Sequence, residues 1–482
     1  MKSVLRKYVL FSAILPLLWA AGAVSTFAQD EPQPPVDKPK PAGSSFPIPV
    51  VNEGDQQVQN DQPNFTPDTT PLTGVLNPTL GSPEIQHSYW VPGIQWSSSI
   101  QSSSYNQTSS NGWLANNYLV GNLSLLKVWS GSQLSLNYSG GGFFSTDSTQ
   151  GSGSYQQMAA SQTFQWRRVQ IQLLDQFSYL PQTSLGFGGG TGLSTPGTGG
   201  STGPVIPGMG NNYLPNQSIY SAVGPRYSNA SVVQLTYAVS PRGSLTMSGS
   251  YGFLNFTQAG NVDNQSVTAT IGYNYLLNPK DTLGAFYRFS GYHFSGQPDA
   301  YGNHSVNLAY GRKLTGRLAL QMYGGPSFTT SRVSTNGDTM SYGINVGASL
   351  VLGIHNGGFS LGYNHGISGG SGVLTGSSVD QLTVSANHKL GRVWSGQVNI
   401  GYAHNTPIQG FGPSISEAYN TWNFGGGVNR QFGQNTSFGI AYNATLSSYS
   451  SSGCTGTGCN PSQTYNYITI NFQWRARPFI LP

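Results

Sequence analysis

Side chains able to do chemistry are sparse in this chain, and none of them gathers into a catalytic pattern. Seven histidines, His87, His293, His304, His355, His365, His388 and His404, are spread over more than three hundred residues. No serine, histidine and acid stand at a spacing that suggests a nucleophile with its base, and no histidine lies near a cysteine to suggest a zinc shell. The sequence therefore predicts no catalytic residue, no metal, no cofactor and no enzyme. The glycine run GFGGGTGLSTPGTGGSTGP lies within Pro181 to Tyr227; it lacks the GxxxxGK[ST] pattern and a strand-to-helix context, so it is not a phosphate cradle. Cys454 and Cys459, in SSGCTGTGCNPS, are the only cysteines. Their even number and glycine-rich spacer predict a local disulfide staple worth at most ~2–3 kcal/mol.

What remains is a set of polar side chains with a regular period. Asn274, Gln321, Asn345 and Asn399 belong to a larger series of Asn, Gln and Thr, and Arg288 is the one cation well inside a segment with the same parity. A wall built of such groups offers hydrogen bonds with little charge, a chemistry suited to small polar solutes with weak ion selectivity. These five residues are the candidates for a lumen wall and its constriction.

The elements that would position them are strands. In QSVTATIGYNYLL, Val267, Ala269, Ile271, Tyr273, Tyr275 and Leu277 alternate with Ser266, Thr268, Thr270, Gly272 and Asn274. The turn Asn278-Pro279-Lys280-Asp281 follows, and then Leu283, Ala285, Tyr287 and Phe289 alternate with Gly284, Phe286, Arg288 and Ser290. Each arm is about a dozen residues, against the roughly 9–11 that a tilted strand needs to cross a bilayer. The unit repeats through eighteen segments from 92–104 to 463–474, with sixteen as the alternative count. The fold class is all-β, a transmembrane antiparallel up-and-down β-barrel.

Composition agrees. Of 482 residues only 8% are charged, while 64 are glycine and 27 tyrosine, and the mean hydropathy is −0.25. A water-facing surface carries more charge than this, and a helical membrane protein is more hydrophobic. Residues 1–28 read as a signal peptide, with Lys2, Arg6 and Lys7 ahead of an apolar run and Thr26-Phe27-Ala28 at its end. Residues 29–86 are proline-rich and hold eight acids against Lys38 and Lys40, a formal charge of −6, which predicts a disordered acidic tail with room for a periplasmic partner. The barrel takes residues 87–482.

Connections alternate between short and long, and charge follows them. Thirteen of sixteen basic residues in the barrel lie at the short-turn end: Lys127, Arg167, Arg168, Arg242, Lys280, Arg312, Lys313, Arg317, Lys389, Arg392, Arg430, Arg475 and Arg477. Six of its eight acids, Asp147, Asp263, Asp299, Asp338, Asp380 and Glu417, lie in or beside the long loops. Trp129, Trp166, Tyr275, Trp394 and Trp474 stand near strand ends as an interfacial girdle. Asp175 shares parity with Ile171, Leu173 and Phe177, a costly place for a carboxylate, and so predicts a bulge, a shifted register or a paired site.

In this architecture the chain resembles the porin-like outer-membrane β-barrels of Gram-negative bacteria. The resemblance covers residues 87–482 and ends in the alternating Ile468, Ile470, Phe472 and Trp474, although Phe479 is followed by Ile480-Leu481-Pro482. It implies an outer-membrane location with both termini periplasmic, outer-membrane lipid around the barrel and handling by the barrel-assembly machinery. It further implies a channel for passive diffusion of small polar, mostly neutral solutes, with no role for nucleic acid. An export or assembly component, for polysaccharide for example, and a surface barrel with a plugged lumen are the alternatives.

Overall fold

The computed structural model describes residues 88–103, 113–146, 152–180, 225–257, 263–294, 300–333, 337–354, 356–368, 376–408, 418–449 and 462–481. Cys454, Cys459, the glycine run and the segments 1–28 and 29–86 lie outside the described residues.

All eighteen expected strands are present. In chain order they are β1 (Tyr89–Ser103), β2 (Trp113–Val128), β3 (Ser132–Ser145), β4 (Ser152–Gln165), β5 (Val169–Leu180), β6 (Arg226–Ala238), β7 (Gly243–Phe256), β8 (Asn264–Leu276) and β9 (Asp281–Phe294). The series continues with β10 (Ala300–Lys313), β11 (Leu318–Val333), β12 (Gly337–Ile354), β13 (Gly357–Ser368), β14 (Ser377–Lys389), β15 (Trp394–Pro407), β16 (Tyr419–Phe432), β17 (Thr436–Tyr449) and β18 (Ser462–Arg475). Each pairs antiparallel with the next, and β18 pairs with β1 from Gly93↔Arg475 to Ser103↔Tyr465, so the ring closes at eighteen and not sixteen.

A two-residue strand, β19 (Phe479–Ile480), extends the seam by pairing with Trp90 and Tyr89. The Trp90 and Phe479 rings stack at 4.8 Å, and the Leu481 N–H donates to the Ser88 carbonyl. Alternation in the sequence is interrupted at Ala476–Pro478, which hides this last piece. The C-terminal Phe479 is thus part of the closure.

Alternation sorts the side chains into two faces. On β8, Val267 is 48% exposed and Ile271 44%, whereas Thr268 and Thr270 are 6% and 5% exposed. The same division recurs around the ring, with Ile94, Leu119, Val233, Leu308, Ile344, Val398 and Ile440 all exposed on the outside. A continuous apolar exterior of this extent meets lipid, since water would leave it unburied. The five girdle aromatics Trp129, Trp166, Tyr275, Trp394 and Trp474 are exposed on this outer surface at the short-turn end.

Turn chemistry sets the register. Asn278 Oδ1 accepts the N–H of Lys280 at 2.8 Å and of Asp281 at 2.9 Å, and Asn278 Nδ2 donates to Asp281 Oδ2 at 2.7 Å. At the rim, the Tyr310 hydroxyl donates to Asp281 Oδ1 at 2.7 Å and Arg312 Nε lies 3.6 Å away. Those hydrogen bonds from Tyr310 and then Asn278, helped by the nearby cations, hold the Asp281 carboxyl below its ordinary range. The turn is therefore supported above the usual carboxylate pKa, and that support is lost as pH falls through the lowered one. Gly433, at a φ of 66°, makes the tight link between β16 and β17.

Strands approach most closely where a glycine faces a neighbouring backbone. A Cβ on Gly325 would fall 1.8 Å from the Val306 carbonyl oxygen, a contact that only backbone movement can relieve. Gly249 has nothing within 4 Å of the same position. Gly325→Ala is expected to destabilise the folded barrel by about 1–3 kcal/mol, while Gly249→Ala leaves it nearly unchanged. Urea unfolding in lipid vesicles, followed by tryptophan fluorescence, checks the contrast; equal stability of the two variants would contradict the register at Val306.

Candidate functional site

The inner wall carries the candidate chemistry. All five candidate residues take the inward parity of their strands: Asn274 on β8, Arg288 on β9, Gln321 on β11, Asn345 on β12 and Asn399 on β15. They do not form one cluster. Arg288 lies opposite Thr270 on β8 and Ser305 on β10. Ser305 Oγ receives Asn307 Nδ2 at 3.0 Å and Asn345 Nδ2 at 3.5 Å, which places Asn345 beside the Arg288 position. Asn274 sits four residues nearer the short turns and donates to Thr246 Oγ1 at 3.3 Å. Gln321 is nearer the same rim, opposite Gly311 and Ser349.

Asn399 belongs to a separate ladder. Its Nδ2 donates to Asn423 Oδ1 at 3.3 Å, and Asn423 Nδ2 donates to Thr445 Oγ1 at 3.0 Å, crossing β15, β16 and β17. Gly425 leaves the room for this, because a Cβ there would fall 2.1 Å from Asn399 Oδ1. Such chains of amides and hydroxyls fix the direction of each polar group before any solute arrives.

Around Arg288 the wall is more aromatic than the sequence suggests. The guanidinium lies 5.4 Å from the centroid of Phe286, which is 5% exposed and meets Tyr323 edge-on at 5.7 Å. Tyr323 lies across β12, where a Cβ on Gly347 would fall 2.4 Å from its ring, and its hydroxyl donates to Asn364 Oδ1 on β13 at 2.7 Å. Arg288 Nε is buried and makes no hydrogen bond, and no carboxylate among the described residues pairs with this side chain. Half-buried and held against an aromatic face, this guanidinium brings positive charge to the inner wall.

Sequence reading missed two inner-wall features. Arg226, at the first position of β6, also faces inward and is 2% exposed. It was missed because the alternating pattern becomes readable only from Ser228. Tyr118, Phe143 and Tyr155 pack inside the barrel with ring centroids 5.0 and 5.9 Å apart, and Tyr292 stacks on Tyr301 at 4.7 Å. Parity was the available signal: Phe286 and Tyr292 share the phase of Arg288.

Only the carboxylates keep to one face. Among the described strand side chains, Arg226, Arg288, Lys313, Lys389 and Arg475 have inward parity and Lys127, Arg312 and Arg430 outward parity, whereas Asp175, Asp281 and Asp380 all have outward parity. Asp380 is held at the outer surface by the Tyr363 hydroxyl and by His365 Nδ1, each at 2.8 Å.

Asp175 is a paired site, with neither bulge nor shifted register. Its register partner on β6 is Ser231, whose Oγ donates to Oδ2 at 2.5 Å, and Asn229 Nδ2 donates to Oδ1 at 3.2 Å. Asn229 also donates to the Gln176 carbonyl at 3.0 Å. The carboxylate is thus satisfied within the wall. Asp175→Leu removes the acceptor and leaves two donors facing an apolar surround, with an expected loss of about 1–3 kcal/mol, while Asp175→Asn loses less. Urea titration of the two variants in vesicles checks the order; a stabilised Asp175→Leu barrel would contradict the pairing.

No family model matches the chain, and no curated protein matches it. Among solved structures, the outer membrane protein OpdK from Pseudomonas aeruginosa is similar at 10% identity with a TM-score of 0.41, over 80% of this chain and 99% of that one. OccAB2 from Acinetobacter baumannii gives 12% identity and 0.41 over 80% and 98%. A BenF-like porin from Pseudomonas fluorescens Pf-5 gives 9% and 0.42 over 82% and 99%. The barrel of this chain is established by its own strand pairing.

Proposed function

We propose that the chain is an outer-membrane channel of a Gram-negative bacterium for passive diffusion of small polar, mostly neutral solutes, with a modest preference for anions among ions. The observation that carries this reading is the two-faced wall: a closed ring of eighteen strands that is apolar outside and lined with amides and hydroxyls inside. Rings of about sixteen to eighteen strands are wide enough for an aqueous lumen. Outer-membrane lipid surrounds the girdled exterior, the barrel-assembly machinery handles the chain, and the short turns and both termini face the periplasm.

The wall explains both parts of the preference. Neutral hydrogen-bonding groups replace part of a solute's hydration without selecting strongly by charge. The inward cations, with every described strand carboxylate turned outward, tilt the lumen potential toward positive. Arg288, Asn274, Gln321, Asn345 and Asn399 line the path, with Asn345 beside the Arg288 position. In planar bilayers under a potassium chloride gradient, the reversal potential should show chloride favoured over potassium. Arg288→Gln should lower that permeability ratio by about twofold with a smaller change in conductance. A cation-selective channel, or a ratio unmoved by Arg288→Gln, would overturn the role given to Arg288.

A further inference from the structure

The short-turn rim of the barrel is an unusually one-signed surface. Thirteen Lys and Arg side chains lie at this end, eleven of them exposed, against one described carboxylate, Asp281. That carboxylate is already taken by Tyr310, Asn278 and Arg312. The turns stand about 10 Å apart, two strand spacings of ~4.8 Å, which is close to the ~8 Å Debye length at physiological salt. Their fields therefore merge into a positive ring, one that fits a flexible polyanion better than any single compact anion.

The chain supplies such a polyanion at the same rim. Residues 45–86 contain Glu53, Asp55, Asp61, Asp68 and Glu84 and no Lys or Arg. The last of these stands four residues before Ser88, and Ser88 is fixed at the short-turn end. Its Oγ accepts the Val128 N–H at 3.0 Å, and its carbonyl accepts the Leu481 N–H. Forty-two residues of chain reach ~35 Å even at the root-mean-square span of a random coil, and farther when extended. Eighteen tilted strands make a ring about 35 Å across, so the segment can reach any turn.

We infer that residues 45–86 dock along the basic short-turn rim of their own barrel. Single exposed ion pairs are individually weak and salt-screened. Tethering changes the balance, because the segment is held near the rim at an effective concentration on the order of mM. Several weak contacts drawn from thirteen cations then hold it against the rim, and they weaken as salt rises. The inference does not depend on what the barrel passes.

Zero-length carbodiimide cross-linking of the full chain in lipid vesicles, read by mass spectrometry, joins carboxylates only to amines in direct contact. At ~20 mM salt, links are expected between the 45–86 carboxylates and Lys127, Lys280, Lys313 or Lys389 of the same molecule, falling at least tenfold at 0.5 M salt. A mixture of isotope-labelled and unlabelled protein separates links within a chain from links between chains. Arg167→Gln, Arg168→Gln, Arg242→Gln, Arg317→Gln and Arg392→Gln together leave all four lysines in place. This combined variant is expected to lower the yield at least threefold. Absence of links to the rim lysines, links only between chains, or yields indifferent to both salt and the arginine substitutions would overturn the inference.

Discussion

In the hydrocarbon interior of a bilayer no water is available to a backbone N–H or C=O, and each group left open there is costly. For strands this constraint has one solution, a sheet with no edge. The β1–β18 register from Gly93↔Arg475 to Ser103↔Tyr465 closes the ring, and the small β19 piece carries the seam on to Tyr89. Every other property of the molecule depends on that closure. It turns alternating side chains into an outer and an inner face, and it gives the inner face a common axis.

Once the ring is closed, polarity can be separated without a helix or a buried apolar core of the usual kind. Leu308 and Ile344 face outward, while Asn307 and Asn345, one residue away, face inward. Places where the separation is broken are repaired locally. Asp175 on the outer face is met by Ser231 and Asn229, and Asp380 by Tyr363 and His365. On the inner side, Tyr323 lies flat across Gly347 to reach Asn364, so that glycine positions and tyrosine struts together shape the wall. The short turns gather the basic residues at one end, where Arg430 rests on the faces of Trp394 and Phe432 at the girdle.

Much of this was legible in the sequence because a period of two survives in nearly every strand. The eighteen strands fall within three residues of their expected bounds, and the outward parity of Val267 and the inward parity of Arg288 follow from that period alone. The C-terminal β19 was not legible, since Ala476–Pro478 breaks the alternation. Arg226 was lost to a strand boundary, and the inner aromatics Tyr118 and Phe143 were hidden because large apolar residues are expected on the lipid face, although Phe286 already shared the parity of Arg288. Contacts between strands that are not neighbours, such as Tyr323 with Asn364, depend on wall curvature, which no local pattern encodes.

The central claim is that a polar, water-accessible path runs through the closed barrel. Swelling of liposomes carrying the full folded chain, measured with neutral sugars and amides of increasing size, tests it most directly. The expected result is swelling that is fast for the smallest solutes and falls steadily with solute size. Swelling no faster than in protein-free liposomes, with the barrel shown to be folded in the same preparation, would contradict the account.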